Sequence, residues 1–444
     1  MNYSLFIVKR IRPHYILSIV FLLLTWCDFF SPSKGGAQSL SDTGSFYFSG
    51  STTPLRRPIF REFFPGDGLK VGRVKIHPFL GIAEVYNDNV FRTNTQRRSD
   101  FLTTISPGIQ VNVPIGIRHS FLLDYRATQF LYQKFSENNV LAQHGVGHLT
   151  FNFPGGMKVD LQGGHIEGFD ARGSEVDIQQ RDITQWNIDS FLAQGDFLGP
   201  KFGVRLKFFY TDRHFTNNNQ AAPRDRNRMR TQFTVFVPAN QTLSGLLGIQ
   251  LTNQTYDSNK QLNNFSYGIF TGFRLKANQR LFGEFNIGYT ILNYDRAPIS
   301  DLTQVTVLEQ KGLSPGGDQV EALTMRGDII WNPTPQWNIY LRPYRRIRQA
   351  AVLNTSTFTQ TGVSLEATKA LTPRLSARGR VFYEHNAFEE GRRDNRVRWR
   401  MGLGYKTIEW LGFRVDYIFA KRFSNQNTFD FFSNTVMVSI QGFR

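Results

Sequence analysis

The chain has 444 residues, 40% of them hydrophobic, and combines a formal net charge of +17 with 41 Phe, 16 Tyr and 6 Trp. Past residue 30 it contains no run of about 20 apolar residues, which excludes a helical membrane protein; its length suits either two or three soluble domains or one sheet grown around a ring. The basic balance calls for anionic partners, yet the arginines alternate along strand-like segments instead of running along a helix or loop, which argues against nucleic acid.

Residues 1–37 read as a cleaved secretory signal. Lys9, Arg10 and Arg12 precede an apolar core from Tyr15 to Trp26, and Gly35-Gly36-Ala37 supplies small residues before Gln38. That core is too short to span a bilayer, which needs about 20 residues. Cleavage after Ala37 removes Cys27, the chain's only cysteine, so the mature protein crosses an oxidising periplasm without a thiol. Residues 38–74 are rich in Ser, Thr, Gly, Pro and Arg, with Pro54, Pro58 and Pro65 interrupting any long element; they read as a periplasmic N-terminal segment.

From Lys75 onward two kinds of punctuation alternate. Tight turns are expected near Pro114-Ile115-Gly116, Pro154-Gly155-Gly156, Leu198-Gly199-Pro200, Pro238-Ala239-Asn240, Lys276-Ala277-Asn278, Pro333-Thr334-Pro335, Leu371-Thr372-Pro373 and Glu409-Trp410. Longer polar stretches fall between them, at 87–100, 133–142, 168–183, 214–229, 257–262, 293–319, 348–354, 388–395 and 424–429. Loops that interleave with turns in this way predict an all-β transmembrane antiparallel β-barrel of about 18 strands (16–18) over residues 75–444. Its short turns are periplasmic and its longer loops extracellular. A soluble propeller also repeats about every 40 residues, but a blade packs four short strands into that interval. Here each interval holds two segments of roughly a dozen residues, long enough for a tilted crossing.

The alternation is sharpest near the C-terminus. Leu411, Phe413, Val415, Tyr417 and Phe419 line one side of a strand; Val397, Trp399, Met401, Leu403 and Tyr405 line one side of the strand before it, with arginine opposite. An apolar outside and a charged inside are what a closed barrel in lipid requires. The expected pore-lining basic residues are Arg205, Lys207, Arg342, Arg378, Arg380, Arg396, Arg398, Arg400 and Arg414. Inward carboxylates such as Glu284, Asp328, Glu366, Glu384 and Asp416 would brace the wall against them, but the cations outnumber the acids, so a positive potential is expected to concentrate anions. Tyr86, Trp186, Tyr210, Trp331, Trp337, Tyr405, Trp410 and Tyr417 are expected in the two interfacial belts.

No enzyme site, metal site or cofactor site is expected. The histidines are scattered, and His144 and His148, four apart on one strand face, lie about 13 Å apart at a rise of about 3.3 Å per residue, too far to share an ion. Asn87-Asp88-Asn89 lacks the glycine and closing glutamate of a calcium loop.

The stretch Gly81 to Val111, with Val85-Tyr86-Asn87-Asp88-Asn89-Val90-Phe91 and Thr104-Ile105-Ser106-Pro107-Gly108-Ile109, resembles the opening hairpin of the putative beta-barrel porin type 2 family. The resemblance implies a protein of the Gram-negative cell outer membrane, surrounded by membrane lipid and lipopolysaccharide, inserted by the outer-membrane assembly machinery and often associated with exopolysaccharide synthesis. The chain end departs from the usual aromatic finish: Phe443 is followed by Arg444, and Val436, Val438 and Ile440 are out of step with Phe443. The functional expectation is a porin-like channel passing polar or anionic solutes, including an acidic exopolysaccharide. The alternative is a non-conducting barrel that acts as a surface or assembly scaffold.

Overall fold

A computed structural model describes residues 68–170, 172, 183–216, 224–258, 260–276, 280–295, 319–349, 357–389 and 391–443. The expected signal, most of the N-terminal segment and most of the 293–319 loop lie outside the described residues. The strands are β1 (Leu69–Val71), β2 (Val74–Asn87), β3 (Asp100–Ile115), β4 (His119–Tyr132), β5 (Val140–Asn152), β6 (Met157–Phe169), β7 (Gln185–Leu198), β8 (Gly203–Phe215), β9 (Arg226–Pro238) and β10 (Leu243–Tyr256). The second half continues with β11 (Asn264–Lys276), β12 (Leu281–Tyr294), β13 (Gln319–Trp331), β14 (Trp337–Gln349), β15 (Thr357–Ala370), β16 (Leu375–Phe388), β17 (Arg393–Ile408), β18 (Leu411–Ser424) and β19 (Phe431–Phe443).

Each strand from β2 onward pairs antiparallel with the next, and β19 pairs with β2, from Thr435↔Asn87 to Phe443↔Phe79. The sheet therefore closes as an 18-stranded barrel with no free edge, the condition for backbone to survive in hydrocarbon. The expected turns and loops fall between these strands. At about 3.3 Å per residue, a 13-residue strand runs about 43 Å, and tilted near 45° it covers the roughly 30 Å of a bilayer core. β1 forms a short hairpin on β2, with Leu69 opposite Ile76. The Pro154–Gly156 turn needs its glycines: Gly155 and Gly156 sit at φ 79° and 85°, and a Cβ on Gly156 would come within 2.7 Å of the Leu198 carbonyl oxygen.

The side-chain parity follows from the same alternation. Met401, Leu403, Tyr405, Phe413, Val415 and Val438 face outward and are exposed, whereas Arg400, Gly404, Asp416 and Ile418 face inward and are buried. Tyr86, Trp331, Tyr405 and Trp410 lie exposed at strand ends, as an interfacial belt requires. Three expected belt residues sit elsewhere, Tyr210 among them in the middle of β8. Trp186 points into the barrel, 3% exposed, and Tyr417 stands in the middle of β18 with its hydroxyl donating to Asn434 Oδ1.

β9 is longer than its sequence suggests, because Arg226 and Arg228 belong to the strand and not to the preceding loop. Phe443 is buried and faces inward opposite Phe79, which accounts for its being out of step with the outward Val436 and Val438.

Apolar clusters inside the barrel lie toward the long-loop end, one of them, Ala83, Val85 and Met437, on β2 and β19 and the others on the β4–β8 side. Phe130, Val140, Ala142, Phe169 and Ile183 form one buried cluster, and Ile166, Trp186, Ile188 and Phe215 another. The β4–β8 sector is thus filled near its loop ends, and the basic side chains lie mainly on the wall from β8 round to β18.

Candidate functional site

On β15 to β18 the inward residues form a grid of opposite charges. Strand pairing sets Glu366 opposite Arg380, Arg380 opposite Arg400, and Arg396 opposite both Glu384 and Arg422. Like charges directly opposite one another destabilise a sheet, and carboxylates relieve them. Arg400 makes a two-pronged contact with Asp416, Nε to Oδ1 at 2.8 Å and Nη2 to Oδ2 at 2.7 Å. Arg378 Nη2 donates to Glu366 Oε1 at 2.7 Å, and Arg380 Nε donates to Ser364 Oγ at 3.2 Å. Arg396 donates to Glu384, which also accepts from the Tyr344 hydroxyl at 2.6 Å. Gly402 lies opposite Asp416, and a Cβ there would meet Asp416 Oδ1 at 2.2 Å, so the glycine makes room for the Arg400 pair.

A second knot links β7, β8 and β11 to β14. Arg205, 5% exposed, donates to Asp196 Oδ1 at 2.6 Å and reaches Glu284 Oε2 at 3.0 Å. Glu284 also pairs with Arg274 at 3.3 Å and stands opposite Asp328 in the β12–β13 ladder. Asp328 in turn binds Arg342 at 2.8 Å, Arg326 at 3.1 Å and the Tyr340 hydroxyl. β8 and β12 are four strands apart, so the Arg205–Glu284 contact spans a chord of the barrel and narrows the space behind it.

The nine sequence-predicted residues all face inward, but they do not act alike. Arg205, Arg342, Arg378, Arg380, Arg396 and Arg400 stand within 4.0 Å of carboxylates. Lys207 belongs to a cationic group with Arg205, Arg230 and Arg326. Arg398 lies over the Phe382 ring, 5.8 Å from its centroid, and Arg414 faces inward opposite Gly404.

Sequence reasoning missed the inward row Arg226, Arg228 and Arg230 on β9. Arg230 meets no carboxylate among the described residues; the charges around it include those of Arg228, Arg326, Arg346 and Lys207. Arg346 itself donates to Gln360 Oε1 at 2.8 Å. The period-two spacing of Arg226, Arg228 and Arg230 was the available signal.

Also missed was a knot at the mouth. Fully buried Asp170 accepts from Trp186 Nε1 at 3.0 Å, Arg224 Nη2 at 2.8 Å and Arg213 Nη2 at 3.2 Å, while its own N–H donates to the Thr184 carbonyl. Arg172 donates to Asn138 Oδ1 beside it. These contacts tie the chain on either side of the 168–183 stretch to β7, β8 and the start of β9.

The model of the family described as putative beta-barrel porin 2 matches residues 64–443. Among solved structures, the outer membrane protein OpdK from Pseudomonas aeruginosa is 12% identical, covers 83% of this chain and 99% of its own, and has a TM-score of 0.45. OprD of the same organism gives 10% identity, 86% and 99% coverage, and a TM-score of 0.41. A loop-deletion mutant of OmpT from Vibrio cholerae gives 9%, 84% and 99%, and 0.38. No curated protein sequence matches the chain.

Proposed function

The chain belongs to the putative beta-barrel porin 2 family of the outer membrane, and from that premise we propose that it is a channel for polar and anionic solutes. The observation that carries this reading is Arg230, a lumen-facing guanidinium whose charged neighbours are Arg228, Arg326 and Arg346. Cations gathered across a narrow, low-dielectric passage raise the local concentration of anions. Guanidinium groups bind carboxylates and phosphates in two-pronged geometry, so an acidic exopolysaccharide fits this wall as passenger.

Channel recording in planar bilayers tests the reading. In a salt gradient the wild type is expected to prefer anions, and Arg228→Gln with Arg230→Gln should shift the reversal potential toward zero selectivity, most strongly at low salt, where the Debye length is longest. An oligomer of an acidic sugar should interrupt the current of the wild type more than that of the variant. Cation preference in the wild type, or unchanged selectivity in the variant, would overturn the proposal.

The packed mouth around Asp170 favours a second reading, a non-conducting barrel serving as a surface or assembly scaffold; a correctly folded barrel that stays electrically silent would establish it.

A further inference from the structure

Outside the lumen, on the outer surface of the extracellular rim, His214 near the end of β8, Asp225 just before β9 and Asp257 just after β10 bring one nitrogen and two carboxylate oxygens within 4.8 Å of one another. We propose that these three residues form a binding site for a first-row divalent cation such as zinc. Three features of the geometry carry the proposal, and none depends on what passes through the barrel.

The histidine is oriented as a ligand. Its Nε2 lies 3.3 Å from Asp212 Oδ2, on the same outward face of β8, whereas Nδ1 faces Asp225 Oδ2 at 3.8 Å, too far for a hydrogen bond. In the neutral tautomer with its proton on the Asp212 side, the lone pair of Nδ1 faces the Asp225 and Asp257 carboxylates, the three ligand atoms lying within 4.8 Å of one another. A carboxylate holding the far nitrogen of a histidine whose near nitrogen faces a metal is the recurrent outer-shell arrangement of such sites.

The Asp225 carboxylate and the Asp257 backbone are anchored. Asp225 Oδ1 accepts from the Phe215 N–H at 2.8 Å, leaving Oδ2 for the ion, and the Asp257 N–H donates to the Asp225 carbonyl at 3.0 Å. The ends of β8, β9 and β10 are therefore held together by backbone contacts before any ion binds.

The spacing and access also fit. Ligands at about 2.0–2.2 Å from a tetrahedral zinc lie about 3.4 Å apart, so the 3.8 Å between His214 Nδ1 and Asp225 Oδ2 needs little closure. The exposed Asp257 side chain can swing in, and the His214 side chain is 45% exposed, so an ion enters from the outside. One imidazole with two carboxylates suits zinc over magnesium or calcium, which take all-oxygen shells. Three protein ligands leave a position for water or another external donor. The bound ion would cross-link the β8–β9 connection to the end of β10.

The test uses the refolded full barrel without a polyhistidine tag, stripped with a chelator and titrated with Zn²⁺ by calorimetry, with Co²⁺ as a visible-absorption probe of coordination. Heat-modifiable migration on gels confirms folding of every variant. The wild type is expected to bind one equivalent. His214→Gln and Asp225→Asn should each weaken binding at least about tenfold, and Asp212→Ala by about 10–100-fold through loss of the outer-shell contact. His165→Gln, which removes another outward histidine flanked by Asp189 and Glu167, should change nothing. No Zn²⁺ uptake by the wild type, wild-type affinity in both His214→Gln and Asp225→Asn, or loss of binding in His165→Gln would each overturn the site.

Discussion

Asp416→Asn isolates the bracing role of the inward acids. The wild-type carboxylate is fully buried and takes both prongs of Arg400, itself 6% exposed. Asparagine keeps the shape and one acceptor but leaves the guanidinium charge uncompensated, and Arg380 stands directly opposite Arg400 in the ladder. Breaking a buried pair by removing one partner costs about 3–5 kcal/mol. The double change Arg400→Met with Asp416→Leu removes both charges and should cost far less, since replacing a buried pair with apolar groups is often neutral. Urea titration of the barrel in lipid vesicles, followed by tryptophan fluorescence and gel mobility, reads both. A loss below about 1 kcal/mol for Asp416→Asn, or equal losses for the single and double variants, would refute the claim that this pair is a buried brace.

Val415 is 52% exposed on the outward face, so Val415→Arg places a charge in hydrocarbon and should lower folding stability in vesicles by about 2–4 kcal/mol; tolerance comparable to that at the inward Arg414 would contradict the assigned parity. An epitope inserted between the exposed Thr95 and Gln96 should bind antibody on intact cells, whereas one at Thr372, in the β15–β16 turn, should require permeabilised cells, and the reverse pattern would invert the topology. Arg392 is a poor insertion point, being 3% exposed and packed on the Phe388 and Phe429 rings. Burial alone would raise the pKa of Asp88, but hydrogen bonds from Asn434 and Arg97 hold it below the ordinary carboxylate range. Because the folded value is the lower one, this contact stabilises at neutral pH and is lost as pH falls through that value. Hydrogen exchange of the 88–99 loop should rise on strong acidification, and protection that stays flat throughout acidification would contradict the linkage.

The strand count and the loop pattern were legible because a lipid-facing strand must alternate over its whole length and turn residues must punctuate it. Legibility failed where that alternation is masked or inverted. Arg-Asp-Arg-Asn-Arg-Met-Arg, at 224–230, reads as a polar loop because the outward Asn227 offers no apolar contrast to the inward arginines. In β7 the sides are reversed at the mouth: Trp186, Ile188 and Leu192 are buried inside while Asn187 and Asp189 face outward. Hence Trp186 reads as a belt residue although its indole N–H meets Asp170. The Arg205–Glu284 chord depends on the cross-section of the closed ring, which no local period encodes.

On the proposed reading, stability and selectivity reside on different walls. Where arginines oppose one another on β16 to β18, carboxylates on the adjoining strands flank them, so the grid holds the sheet together and much of its field is cancelled at short range. Around Arg230 the neighbouring charges have the same sign, which is unfavourable for folding and useful for an anion entering the space between them. Neutralising Arg228 and Arg230 should then relieve repulsion and leave stability equal or higher while anion preference falls. Removing Asp416 should lower stability with little change in reversal potential. If both variants moved both quantities together, the two walls would be one coupled electrostatic unit, and the division into brace and filter would not hold.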